Sequence, residues 1–114
     1  KQYDEAFYHL KAVDESDVLL NFGAKVMLLK MYYETQEYDA LESLLESFRV
    51  LVHRKKVLSY HKVHFSHIIQ FTKRLVHLRP GDRDKMIALR QDIETAEVLG
   101  EREWLLQQLA RVKA

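Results

Sequence analysis

The sequence predicts an all-α protein made of stacked antiparallel helical hairpins. Three observations lead there. Only three glycines and one proline punctuate 114 residues, and Leu, Ala, Glu, Lys, Arg and Gln, all good helix formers, fill the space between them. Apolar residues recur at intervals of three and four, the helical spacing. The polar breaks are short, and loops of two to six residues leave consecutive helices only an antiparallel arrangement. A chain of 114 residues buries a real core as a single domain, without a disulfide or metal to hold it.

The elements follow in order. A first helix is expected from about Gln2 to Val13, with Tyr3, Ala6, Phe7, Leu10 and Val13 in register. The stretch VDESDV (13–18) reads as a break, with Asp14 or Ser16 as N-cap of the next helix. That helix, Asp17 to Tyr33, is apolar almost all round, so neighbours are expected on most of its sides. ETQEYD (34–39) is a polar break before a helix from Tyr38 to Lys55, which places Leu41, Leu44, Leu45, Phe48, Leu51 and Val52 on one side. KKVLSY offers Ser59 as the cap of a fourth helix reaching Leu78, with Val57, Tyr60, Phe65, Ile68, Ile69, Phe71 and Leu75 on a broad apolar face. RPGD (79–82) combines a proline, a glycine and a capping aspartate, and is the sharpest break in the chain. Beyond it lies a helix with Met86, Leu89, Ile93 and Ala96. EREWLLQQLARV then either continues that helix or restarts after Gly100. No stretch reads as a strand.

Charge is polarised along the chain, although the whole carries only +1. Residues 1–48 sum to −6, residues 49–79 to +8 with no acid at all, and residues 80–114 to −1. Five of the six histidines fall in the basic middle. Such a field attracts an acidic protein, a nucleic-acid backbone or an anionic lipid surface. Its plainer reading is neutralisation by neighbouring helices through Glu42, Glu46, Glu94, Glu97, Glu101 and Glu103. The near-neutral total is unlike a dedicated nucleic-acid module. A protein partner is therefore expected, and the residues expected to meet it are Arg49, Arg54, Lys55, Lys56 and Lys62, with Tyr60 and His61 as an apolar floor.

YHKVHFSH sets His61, His64 and His67 at successive intervals of three, a spacing from which two could share a metal with a carboxylate brought from elsewhere. The segment holds no acid and no H-E-x-x-H, so the favoured reading is packed or groove histidines, with no metal or cofactor expected. Cysteine is absent, which excludes thiol catalysis, disulfides and thiolate metal sites. No phosphate-binding glycine loop and no G-x-S-x-G occurs, and Asp14–Glu15 and Asp82–Asp84 sit where carboxylates favour helix starts. Catalysis is not expected. No apolar run is long enough to span a bilayer. Opening on Lys1, the chain reads as a segment of a longer protein.

A repeat lies under this pattern. KQYDEAFYHLKAVDE and LLKMYYETQEYDALESLLESF place Tyr3 and Tyr38 before aspartate at a spacing of 35, and the pair resembles tetratricopeptide (TPR) repeats. The likeness covers residues 1–55, leaving 56–114 as a divergent hairpin and cap. Tyr32 and Tyr38 match the family's aromatic positions, and Ala6 its close-contact position. Lys25, Leu29 and Leu41 stand where the family has tryptophan, glycine and a small residue, which implies wider helix spacing than usual. The EREWLLQQL ending and the residues from Tyr32 to Lys56 are similar to the C-terminal part of uncharacterised bacterial helical-repeat proteins. The resemblance implies a non-catalytic interaction or scaffolding module of a larger cytoplasmic protein. Trp104, Leu105, Leu106, Leu109 and Val112 form the apolar stripe of a last helix, expected to cap the stack or else dock a second copy. The first helix offers another edge for a homodimer.

Overall fold

The computed structural model describes residues 2–113, with side chains from Glu15 onward. Five helices make it up: α1 (Gln2–Glu34), α2 (Tyr38–Arg54), α3 (Ser59–Val76), α4 (Arg83–Thr95) and α5 (Arg102–Arg111). No strand occurs among the described residues. Consecutive helices pack as α1 on α2, α2 on α3 and α4 on α5, and α3 also meets α1, α4 and α5. The all-α hairpin stack expected from the sequence is the observed architecture.

The first departure is α1. VDESDV does not break the chain, and Asp14 and Ser16 lie inside one helix of 33 residues. Serine and aspartate are good caps, yet inside a helix each costs only about 0.7 kcal/mol or less relative to alanine. Neither glycine nor proline is there to enforce a stop. The packing expected of Tyr3, Ala6, Phe7 and Leu10 lies outside the described side chains.

The true end of α1 is the expected ETQEYD break. Gln36 takes a left-handed conformation, φ 61°. The Glu37 N–H donates to the Tyr32 carbonyl at 2.9 Å and the Gln36 N–H to that of Tyr33 at 3.2 Å. This paired closure satisfies carbonyls that a helix end leaves open. At the next break, Lys55 and Leu58 are extended (ψ 145° at both) and α3 begins on Ser59 itself. Ser59 is thus the first helical residue and not the cap; Leu58 holds the cap position without a side-chain hydrogen bond. α3 stops at Val76, two residues short of the expected Leu78. At RPGD, Gly81 adopts φ 91°, a value that favours glycine. The Asp82 carboxylate accepts the Arg79 N–H at 3.1 Å. The final segment is a separate helix, α5, after a non-helical stretch between Thr95 and Arg102.

The core forms between the inner faces. α1 contributes Phe22, Val26 and Leu29, and α2 contributes Leu41, Leu44, Leu45, Phe48 and Val52. From α3 come Phe65, Ile68, Ile69, Phe71 and Leu75, and from α4 and α5 come Leu89, Ile93, Trp104, Leu105 and Leu109. At its centre three phenyl rings from three helices meet. Phe22 lies 5.5 Å from Phe48 and 5.0 Å from Phe65, both edge-on, and Phe48 and Phe65 are 6.0 Å apart. Edge-on pairs bring the positive ring edge to the negative face and are worth about 0.5–1.5 kcal/mol beyond burial. Buried Thr72 is satisfied by donating its hydroxyl to the Ile68 carbonyl at 2.7 Å.

α5 closes the stack from the other side. Trp104 is 8 % exposed, stands edge-on to Tyr33 at 5.6 Å, and donates its indole N–H to Glu34 at 3.3 Å. Lys30 lies 5.8 Å above the indole and pairs with Glu101 at 2.9 Å. The apolar stripe of α5 is thereby used within the chain, as a cap.

Covering of α1 is less complete than its composition suggests. Its inner face is buried, whereas Leu20, Met27 and Met31 are 70 %, 73 % and 49 % exposed. α2 and α3 cover one side only.

Candidate partner-binding surface

The basic segment lies on the hairpin of α2 and α3, and the fold separates its members. Arg54 closes α2, and Lys55 and Lys56 lie in the extended elbow that follows; all three are exposed. Among the described residues none of these three makes a salt bridge with a carboxylate. In the elbow Lys55, Lys56 and Leu58 are exposed, whereas Val57 packs against the core. Lys62, on the first turns of α3, reaches back and donates to the His53 carbonyl at 3.2 Å, which ties the two helix ends together.

Arg49 belongs elsewhere. It grips Glu46, one turn back on α2, through two hydrogen bonds of 2.7 and 3.1 Å. The hydrogen bond and charge of Arg49 hold the Glu46 carboxyl below its usual value, and Glu46 in turn raises Arg49. Both are solvent-exposed, so this pair neutralises charge more than it stabilises. Arg74 is likewise neutralised by Asp92 at 2.7 Å, and the His77 ring hydrogen-bonds Glu42 at 2.8 Å. Part of the basic segment is therefore balanced by neighbouring helices, and the elbow is the part that is not.

Tyr60 departs from expectation. It is 62 % exposed and stands edge-on to His61 at 5.6 Å, so it projects from the surface and forms no floor. Half-buried His61 fits the expected role better. Sequence periodicity also missed Leu58, Val50 and Val63, which are 64 %, 43 % and 41 % exposed. A groove of about 420 Å³ between α2 and α3 is lined by Val52, His53, Lys62, Val63 and His67 among others. Residues 50–63 thus carry both exposed cations and exposed apolar or aromatic side chains, and the groove itself is lined by none of Arg54, Lys55, Lys56, Leu58 or Tyr60.

The three histidines at helical spacing do not converge. His67 uses Nδ1 against the Val98 carbonyl at 2.9 Å. His64 points Nε2 at Gly100, where it is buried without a hydrogen-bond partner. Among the described residues no three His, Asp or Glu side chains gather as a metal site. Burial, followed by the charge of His61, lowers the His64 pKa from its usual 6.5, against the opposing pull of Glu101.

The approach of His64 to the α4–α5 connection gives a test of local packing. A Cβ at Gly100 would overlap the His64 ring. Gly100→Ala is expected to lower stability by about 1–3 kcal/mol, the usual cost of overpacking, and the loss should shrink in a His64→Ala background. The same contact has a pH signature. Because the folded pKa is lowered, the contribution of neutral His64 is present above its unfolded pKa of about 6.5. It is lost as pH falls from there through the folded value, and His64→Leu should abolish that acid-side loss. Denaturant midpoints across this pH range check both effects.

Comparison of the chain with protein-family models, curated proteins and solved structures gave no match. What the fold itself defines is a class: an all-α stack of helical hairpins with a cationic, partly apolar elbow. Among the described residues no helix is long and apolar enough to cross a membrane.

Proposed function

We infer that the chain is a non-catalytic interaction module whose α2–α3 elbow docks an acidic segment of another protein. The observation that carries this reading is the elbow's composition. Leu58 and Tyr60 stand 64 % and 62 % exposed beside Arg54, Lys55 and Lys56, with no carboxylate between residues 49 and 79. Exposed apolar side chains hold unused burial energy, about 1.5–3 kcal/mol each when fully covered. Exposed cations steer an acidic ligand but add little affinity alone. Together they fit an acidic peptide with apolar anchors better than a bare phosphate backbone, which has no use for Leu58. The TPR-like pattern of residues 28–48, which spans the α1–α2 turn, supports the same role, and we place the module in a larger cytoplasmic bacterial protein as a scaffold.

The test is capture from lysate with the chain and with a variant carrying Arg54→Glu, Lys55→Glu and Lys56→Glu. All three positions are exposed, so circular dichroism should show the fold unchanged. One defined acidic protein, retained by the first and lost by the second, is the expected result. Nucleic acid recovered in its place would assign the elbow to phosphate. Equal recovery by both forms would remove the elbow as the site.

A further inference from the structure

The outer face of α1 carries a second pattern, separate from the elbow. Leu20, Ala24, Met27 and Met31 are all exposed and follow at intervals of four, three and four. Read backward through the same helix, the sequence continues the alternation: Asp17, Val13, Leu10, Ala6 and Tyr3. This is a heptad seam in which every core position but Asp17 is apolar. It lies opposite Phe22 and Leu29, both fully buried against the rest of the chain. From Asp17 to Met31, where side chains are described, α1 is therefore apolar on two faces, and only one is used internally.

We propose that α1 pairs with α1 of a second copy of the chain as an antiparallel two-stranded coiled coil. Three features select this occupant and orientation. First, the seam runs the length of a 33-residue helix, and an antiparallel self-pairing with Asp17 beside Leu20 of the other copy aligns the two helices end to end. That register sets Ala24 by Val13 and Leu10 by Met27 of the other copy, and Ala6 by Met31, so small positions meet larger ones. Second, residues 2–17 carry a net −4 and residues 18–34 a net +1. The antiparallel arrangement lays the acidic half on the other, whereas a parallel one lays acid on acid. Third, a parallel pair would also bury Asp17 against its own copy at a core position, a like-charge contact that coiled coils avoid.

The seam is about 50 Å long at 1.5 Å per residue. With a face roughly 10 Å wide on each helix, the pair buries about 1,000 Å², near the lower limit for a specific interface. The dimer is thus concentration-dependent.

Sedimentation of the chain over a wide concentration range is expected to show a monomer–dimer equilibrium. Leu20→Glu with Met27→Glu, both at exposed positions, should abolish the dimer and leave helicity intact. The chain has no cysteine, so orientation is read by oxidative cross-linking. An equimolar mixture of Leu10→Cys and Met27→Cys chains should give the mixed disulfide, and Met27→Cys alone should give almost none. A chain that stays monomeric at every concentration would assign the seam to a different occupant and overturn the proposal. So would a dimer indifferent to the glutamate substitutions, or ready self-cross-linking of Met27→Cys.

Discussion

Replacing Phe48 with alanine is expected to remove about 3–5 kcal/mol of stability, the range for deleting a buried phenyl group. Phe48 is fully buried and stands between Phe22 of α1 and Phe65 of α3, 5.5 and 6.0 Å from their rings. Its loss leaves a cavity where three helices meet, and none of the three can move inward without disturbing its other contacts. A domain of this size is stable by only about 5–15 kcal/mol, so the variant should lie near the edge of folding. Phe48→Leu, which keeps most of the volume, should cost about 1.5 kcal/mol or less. Urea midpoints for the two variants measure the difference. Equal, small losses would mean that the three rings are not the centre of the core.

Trp104→Ala carries the second large effect, also about 3–5 kcal/mol for truncating a buried aromatic, with a different physical division. The indole covers Tyr33 and lies under Lys30, joining the last helix to the end of the first. Trp104→Phe separates the terms. It keeps the ring but removes the 3.3 Å hydrogen bond to Glu34, and should cost about 1 kcal/mol, since that bond is long and its acceptor exposed. The neighbouring Lys30–Glu101 pair is about a third exposed on each side. Its removal is therefore expected to matter less than loss of the indole. Hydrogen exchange should show α5 released in Trp104→Ala before α2 and α3 respond.

These two residues also show what the sequence can and cannot convey. Phe48 was visible as a core position because α2 repeats its apolar residues at helical spacing between clear breaks. Trp104 was visible as part of an apolar stripe, but not what the stripe would meet, since the choice between a cap and a docking face depends on distant Tyr33 and Glu34. The continuity of α1 was hidden for another reason. Asp14 and Ser16 belong to residue types that cap helices well and also tolerate their interiors, so only tertiary context decides. Composition showed that the helix from Asp17 is apolar all round, yet it could not say which face the chain itself covers. Exposed Leu20, Met27 and Met31 are the result. Nothing in YHKVHFSH announced that His64 would press against Gly100, because that contact joins elements far apart in sequence.

At the elbow, the acid-free run was plain in the sequence, but its division was not. Arg49 lies one turn from Glu46 and is neutralised by it, whereas Arg54, Lys55 and Lys56 fall where the chain leaves the helix. Tyr60 fits the apolar period of α3 and is nevertheless exposed, in the first turn after the elbow. That uncovered tyrosine turns a basic run into a mixed surface of charge and apolar area.

The most direct test of the elbow as a docking site is an amide-resolved NMR titration with an acidic peptide carrying leucine and phenylalanine. Docking at the elbow should concentrate shift changes between Val50 and Val63, weakened by salt but persisting through the apolar contacts with Leu58 and Tyr60. Changes confined to the outer face of α1, or none at all while an oligonucleotide of equal charge perturbs the elbow, would contradict it.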